Sequence, residues 1–211
     1  MSSPQLVEVL ERAQSLGHIG PGEIDSYVKH AIAHLSAADP THGASWCDLG
    51  SGGGLPGLIV AVERPDLMLT LLDRSSTRVE FLEQAVRQLD VVNNVEVVEG
   101  DATELAHNDL YRGAFDGVFC RSFGSPSATA ECAIGFLGGA GCLVVSEPPE
   151  VSPQPWPLKS QHALGFAGRH QAQSSRSLVG RDRLGASCTP ATLHLWQRSQ
   201  QWLSFQRHPS G

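Results

Sequence analysis

Four glycines within five positions, Gly50, Gly52, Gly53 and Gly54, follow the short apolar run Ala44-Ser45-Trp46-Cys47 and the acid Asp48. Glycine tolerates positive φ and lets a ligand approach the backbone. A strand ending this way makes either a tight turn or a floor beneath a small molecule. The acid narrows the choice, because a carboxylate before the loop is unfavourable beside the pyrophosphate of a dinucleotide. It suits a ligand with a cationic amino group, such as the methionine part of S-adenosylmethionine. Capping of the following helix is the alternative role for Asp48. Asp48, Gly50, Ser51, Gly52 and Gly54 are therefore the expected floor of a cofactor site.

Further strand ends carry polar residues at suitable distances. Leu67-Met68-Leu69-Thr70-Leu71-Leu72 reads as a buried strand ending in Asp73, 25 residues after Asp48. An acid at the end of the second strand can accept both hydroxyls of an adenosine ribose. The alternative is an ion pair with Arg74 or Arg78 at the sheet edge. A third strand, Val95-Glu96-Val97-Val98, leads into Glu99-Gly100-Asp101-Ala102, where an acid or exposed backbone can meet an adenine amino group. A fourth, Phe115 to Cys120, ends in Arg121. Such an array is expected where a ligand lies across the carboxyl edge of a parallel sheet.

Strands and helices alternate in support of that sheet. The spacing predicts strands over 44–49, 67–73, 95–98, 115–120 and 142–146, with helices over 55–63, 77–90, 103–107 and 126–137 between them. This βαβ order implies parallel pairing with right-handed crossovers. Two helices precede it. Leu6, Val9, Leu10, Ala13 and Leu16 mark the first, which stops at Gly17, and the second runs from about Glu23 to Ala38. The second places Ile24, Val28, Ala31, Ile32 and Leu35 on one side. His30 and His34 are four apart on it, but without a third ligand nearby they read as solvated or capping residues, and no metal site is expected. Gly138-Gly139-Ala140-Gly141 reads as a turn. Thr77 and Glu80 have the spacing of a capping box, which places Arg78 in the first turn of a helix, against the dipole.

Beyond Ser146 the pattern breaks. Pro148, Pro149, Pro153, Pro155 and Pro157 predict an extended linker. Two strands are expected after it, about 163–168 and 192–197. The expected organisation is one domain over 1–211, with a helical extension (1–40), a cofactor-binding core (44–146), and a proline-rich linker with a basic remainder (147–211).

A chain of 211 residues is ample for one hydrophobic core. No apolar run approaches the roughly 20 residues needed to span a bilayer, and the amino terminus lacks the regions of a signal peptide. The five cysteines have no C-x-x-C spacing and read as reduced thiols, which places the protein in the cytoplasm. The net charge of −7 is unevenly spread. Residues 1–150 carry 8 Lys/Arg against 21 Asp/Glu, while residues 151–211 carry 7 against 1. The basic part holds Arg169, Arg176, Arg181, Arg183, Arg198 and Arg207. It reads either as a nucleic-acid contact surface or as a tail packed on its own acidic domain.

From Trp46 to Val145 the chain resembles the bacterial 16S rRNA guanine-N7 methyltransferase family (glucose-inhibited division protein B). Three stretches carry the resemblance: Asp48-Leu49-Gly50-Ser51-Gly52-Gly53-Gly54-Leu55-Pro56-Gly57, Leu71-Leu72-Asp73-Arg74-Ser75-Ser76-Thr77-Arg78-Val79-Glu80-Phe81-Leu82, and Arg121-Ser122-Phe123-Gly124-Ser125. It implies a Rossmann-like α/β fold: a mostly parallel seven-stranded sheet with a closing antiparallel hairpin and amino-terminal helices. It also implies S-adenosylmethionine as cofactor. Gly50 and Leu55 would line the cofactor loop, Ala102 and Thr103 would flank adenine, and Arg121 would face the methyl-donor pocket. Arg74 lies within the second matching stretch and joins the expected cofactor residues.

Departures bear on the substrate. Ser146-Glu147-Pro148-Pro149 stands where the family usually has Lys-Gly, and the usual aromatic amino-terminal motif is hard to find. Asp101 replaces an arginine and is similar to the adenine-binding acid of other methyltransferases. The first expectation is methyl transfer to guanine N7 of small-subunit ribosomal RNA. Alternatives are methylation of a small metabolite and cofactor binding without catalysis. The expected partner is ribosomal RNA or the small ribosomal subunit through the basic part, or else a small molecule; a membrane is not expected. Guanine N7 presents an in-plane lone pair, so no catalytic base is expected, and Arg121 is the candidate positioning residue.

Overall fold

The structure, a computed structural model, describes residues 3–147, 166–172 and 192–198. In chain order it forms α1 (Pro4–Ser15), α2 (Ile24–Ala38), β1 (Ser45–Leu49), α3 (Gly57–Glu63), β2 (Met68–Asp73), α4 (Ser76–Gln88) and β3 (Val95–Glu99). There follow α5 (Ala102–Leu105), β4 (Phe115–Arg121), α6 (Pro126–Phe136), β5 (Leu137–Glu147), β6 (Phe166–Ala172) and β7 (Thr192–Arg198). One seven-stranded sheet holds them in the order β3-β2-β1-β4-β5-β7-β6. β1 to β5 pair in parallel, while β7 is antiparallel to both β5 and β6. The α/β expectation holds in full for the parallel part.

Alternation along the strands divides the apolar residues between the two faces. Trp46, Leu69, Leu71, Phe119 and Val144 join one core layer with α1, α2, α3 and α4. Their strand neighbours Cys47, Leu49, Leu72, Val118, Cys120, Leu143 and Val145 join the opposite layer with α5 and α6. Strand order reverses between β1 and β4, and the crevice at such a reversal is where open α/β sheets bind ligands.

Several expected boundaries shift for local reasons. α3 begins at Gly57 rather than 55, since residues 52–56 form the turn before it and Pro56 is its N-cap. The expected glycine turn over 138–141 is instead the start of β5, which follows α6 directly. A Cβ at Gly141 would lie 3.1 Å from the Phe115 carbonyl oxygen, so the absence of side chains lets this segment lie along β4. α4 is capped at Ser75 with no side-chain cap bond, so Thr77 and Glu80 do not form the box their spacing suggests. Asp73 takes the Ser75 N–H at 3.0 Å and fixes that turn instead.

β6 lies later than expected and includes Gln171. The expected linker, and Arg176, Arg181, Arg183 and Arg207 of the basic part, lie outside the described residues. Cys47, Cys120, Cys132 and Cys142 are free thiols, whereas Cys188 lies outside the described residues. No helix of the described residues is long and apolar enough to cross a membrane.

Candidate functional site

The carboxyl ends of β1, β2, β3 and β4 bring most of the expected site residues to one edge. After β1 the chain turns through Gly50–Gly54, and the N–H groups of Gly50 and Ser51 both donate to the Leu72 carbonyl at 2.9 Å. Gly50 has φ of +75°, and a Cβ there would meet the Phe123 ring at 2.7 Å. Glycine at this position is thus required by conformation and by close approach together. The loop is locked to the next strand by Asp73, whose Oδ2 accepts the Gly52 N–H at 2.8 Å. Arg78 stands 3.7 Å from the same oxygen. Asp73 is almost wholly buried, and each of its oxygens already accepts one backbone N–H. A carboxylate oxygen has two lone-pair directions, so each retains one acceptor site.

Asp48 shows how both sequence readings can hold at once. Its side chain is buried, and Oδ2 accepts the Gly57 N–H at 2.9 Å, at the first residue of α3. Oδ1 has no hydrogen-bond partner. One oxygen therefore caps a helix, and the other is a buried acceptor awaiting a donor. Burial pushes this carboxyl up to about 7, against the lowering effects of the Gly57 N–H, then of the neighbouring Ser51 hydroxyl and then of the Arg121 charge. Ser51 is also buried, its hydroxyl donating to the Asp48 carbonyl at 2.8 Å.

Beyond β3, Asp101 caps α5. Its Oδ1 accepts the Thr103 N–H at 2.8 Å and the Thr103 hydroxyl at 2.5 Å. Those bonds, chiefly that to the hydroxyl, hold its pKa below the usual carboxylate range, aided by the charge of nearby Arg74. Ala102 is buried beneath this turn, whereas Arg74 is exposed. Asp101, Ala102, Thr103 and Arg74 thus form one corner, and the glycine loop, Leu55, Asp48 and Asp73 form the floor.

Arg121, at the end of β4, lies on the other side of Asp48. Its guanidinium carbon sits 4.9 Å from the centre of the Tyr27 ring. The Tyr27 hydroxyl donates to the Gly20 carbonyl at 2.7 Å, which fixes the ring. Two histidines that were expected to be solvated or capping are instead part of this wall. His34 is fully buried, and His30 is half-buried with its ring 4.6 Å from that of His34. Burial is the main cause lowering both, His30 to about 4 and His34 to about 3, with the Arg121 charge adding to each. Both are neutral near pH 7. The legible signal was the spacing of Tyr27, His30, Ala31 and His34, which puts all four on one helix face. His18, in the turn after α1, also reaches the site, where burial and the Arg78 charge lower its pKa and Asp73 raises it.

The residues present fit S-adenosylmethionine. The partnerless oxygen of Asp48 suits a buried ammonium, the glycine loop offers a bare backbone, and Asp73 keeps free acceptor sites. Among the described residues no group of three His, Cys, Asp or Glu side chains could hold a metal ion.

Comparison with known proteins gives concordant findings. Residues 5–146 match the GidB family model, described as rRNA small subunit methyltransferase G. A Ribosomal RNA small subunit methyltransferase G of Salinispora tropica is 44% identical over 92 residues, covering 43% of this chain and 38% of that protein. The protein of the same description from Leuconostoc citreum is 33% identical over 128 residues, covering 58% of this chain and 53% of its own length. The chain thus spans between 38% and 53% of these relatives. Among solved structures, a SAM-dependent O-methyltransferase from Thermotoga maritima superposes with a TM-score of 0.65 at 16% identity, over 93% of this chain and 72% of that one. At that identity the likeness speaks for the fold alone.

Proposed function

The chain belongs to the rRNA small subunit methyltransferase G family, and from that premise we propose that it transfers a methyl group from S-adenosylmethionine to guanine N7 of small-subunit ribosomal RNA. The observation that carries the cofactor reading is Asp48 Oδ1, a buried carboxylate oxygen without a partner at the strand-order reversal. A buried acceptor left unmatched is costly, and a cationic amino group satisfies it in charge as well as in hydrogen bonding. Asp73 would accept the ribose hydroxyls through its remaining lone pairs, with Gly50, Ser51, Gly52, Gly54 and Leu55 beneath the donor. Asp101, Ala102, Thr103 and Arg74 would bound the adenine.

S-adenosylmethionine, when bound, supplies an electrophilic methyl group on a sulfonium. The work left to the chain is placement, because guanine N7 attacks through a lone pair that needs no deprotonation. Arg121, steadied on Tyr27, is the positioning residue in this reading. The neutral imidazoles of His30 and His34 add no positive charge to the wall and exclude water from it. The chain would work in the cytoplasm as a single domain, its basic part on the RNA.

The test is transfer from labelled S-adenosylmethionine to small ribosomal subunits and to naked 16S rRNA from a strain lacking the guanine-N7 mark. Label at guanine N7 is the expected result. Cofactor binding without transfer to RNA would overturn the substrate and leave the cofactor site standing.

A further inference from the structure

β4 ends at Arg121, and the next residue, Ser122, takes φ of +54°. A residue with a side chain adopts this left-handed conformation only where its surroundings impose it. The turn brings Phe123 back across the crevice. A Cβ at Gly50 would come within 2.7 Å of Phe123 Cδ2 and 3.5 Å of Cε2, so the ring lies directly over that glycine. Phe123 is only half-buried, and it packs against the layer that holds α5 and α6. The Arg121 guanidinium turns the other way, to Tyr27 of the opposite layer. The aromatic face beside Gly50 is therefore not taken up by Arg121.

The place of this ring along the cofactor follows from the two anchors. Asp48, the proposed ammonium acceptor, is on β1, and Asp73, the proposed ribose acceptor, ends β2. Gly50 lies between them, since it follows β1 and its N–H donates to the Leu72 carbonyl of β2 at 2.9 Å. In S-adenosylmethionine the sulfonium is the atom that joins the amino-acid chain to the ribose. A molecule held at both anchors thus carries its positive charge across Gly50.

We propose that Phe123 is a specificity residue for the cofactor, its ring receiving the sulfonium of S-adenosylmethionine in a cation–π contact beside Gly50. The inference rests on the cofactor reading of the preceding subsection and adds the group that tells donor from product. The face of an aromatic ring is the negative end of its quadrupole and attracts a cation within about 6 Å of its centre. S-adenosylhomocysteine, the product of transfer, has a neutral thioether at the same place and gains only contact area from the ring. Asp48 and Asp73 cannot make this distinction, because both ligands carry the same ammonium and ribose. The charge is lost on transfer, so the ring favours exchange of product for fresh donor and does not speed the chemical step.

The test is calorimetry on the full chain with S-adenosylmethionine, S-adenosylhomocysteine and sinefungin, which carries an ammonium in place of the sulfonium. Phe123→Leu keeps an apolar side chain and removes the ring. It should lower the preference for S-adenosylmethionine over S-adenosylhomocysteine by roughly 3- to 30-fold, the range of a cation–π contact. The preference for sinefungin should fall with it, and Phe123→Tyr, which keeps the ring, should retain both. If Phe123→Leu does not fold, NMR of the parent chain with methyl-labelled S-adenosylmethionine decides alone, the bound methyl being expected to show a direct contact with the Phe123 ring protons. An unchanged preference in Phe123→Leu, an equal loss for charged and neutral ligands, or a bound methyl without contact to that ring each overturns the proposal and leaves the cofactor site standing. Absence of saturable S-adenosylmethionine binding by the parent chain would overturn both.

Discussion

Replacing Asp48 by Asn isolates the group on which the cofactor reading turns. In the ligand-free chain burial raises this carboxyl from 3.8 to about 7. A raised acid binds its proton more tightly in the native than in the unfolded state, so its contribution is most favourable at low pH. It worsens as pH rises from about 4 and levels off above about 7. The full gap corresponds to about 4 kcal/mol, of which about 2–3 kcal/mol falls between pH 5 and pH 8. Urea unfolding at those two pH values should therefore show the parent chain losing stability over the interval. Asp48→Asn keeps an acceptor for the Gly57 N–H and should flatten that loss. The substitution should also weaken S-adenosylmethionine binding by roughly 10- to 100-fold, through loss of a charge-assisted bond. A second assay addresses the parent directly. At pH 7 the carboxyl is about half protonated and an α-amino group, of pKa about 7.8, is mostly charged. Closing the pair should release a little under half a proton, read by calorimetry in buffers of different ionisation enthalpy. An unchanged pH slope in Asp48→Asn, or cofactor binding indifferent to buffer, would refute the assignment of Asp48 as the ammonium acceptor.

Gly57→Ala should destabilise the fold by about 1–3 kcal/mol in denaturant, as overpacked sites do. Its Cβ would come within 2.3 Å of Leu71 and 2.5 Å of Asp48 Oδ2, and cofactor affinity should fall with it. Asp73→Asn should cost about 1–3 kcal/mol, because an amide offers one oxygen to the two N–H groups of Gly52 and Ser75 and turns a donor on the other; an unaltered unfolding midpoint would contradict the lock between loop and strand. Gly52→Val should lose the cofactor through backbone strain at φ of +57° and not by filling space, since the nearest atom to a Cβ there is 3.6 Å away. Binding of small-subunit RNA should weaken steeply between 50 and 200 mM salt if the basic part makes the contacts, and a flat salt profile would reject that surface.

What could be read from the chain alone was whatever is local or periodic. The β-α alternation is written in apolar spacing, which is why the parallel sheet and its helices could be placed within a few residues. Glycine and acid at strand ends mark a ligand edge because backbone conformation and charge act over one or two residues. Hence Asp48, Gly50, Asp73, Asp101 and Arg121 were legible as a group. The segment 138–141 was not, because its glycines make a strand only when the Phe115 backbone lies against them.

The uses of the same residues were decided in three dimensions. Spacing allowed Asp48 to be a cap or a ligand, and packing gave one oxygen to the cap and left the other without a partner. Asp73 was expected to meet a ribose or to pair with Arg74 or Arg78; Arg78 does stand 3.7 Å from Oδ2, yet the Gly52 and Ser75 N–H groups hold the two oxygens first. The histidines are the clearest case. A position four residues along a helix says that two rings share a face, but not what lies opposite. Only the approach of Phe119 on β4, 6.3 Å from the His34 ring, and of Arg121 turns that face into a dry wall with neutral imidazoles. Sequence fixes which groups are carried and in what order. Desolvation and partner geometry, which set their charge and their free valences, exist only once the layers have packed.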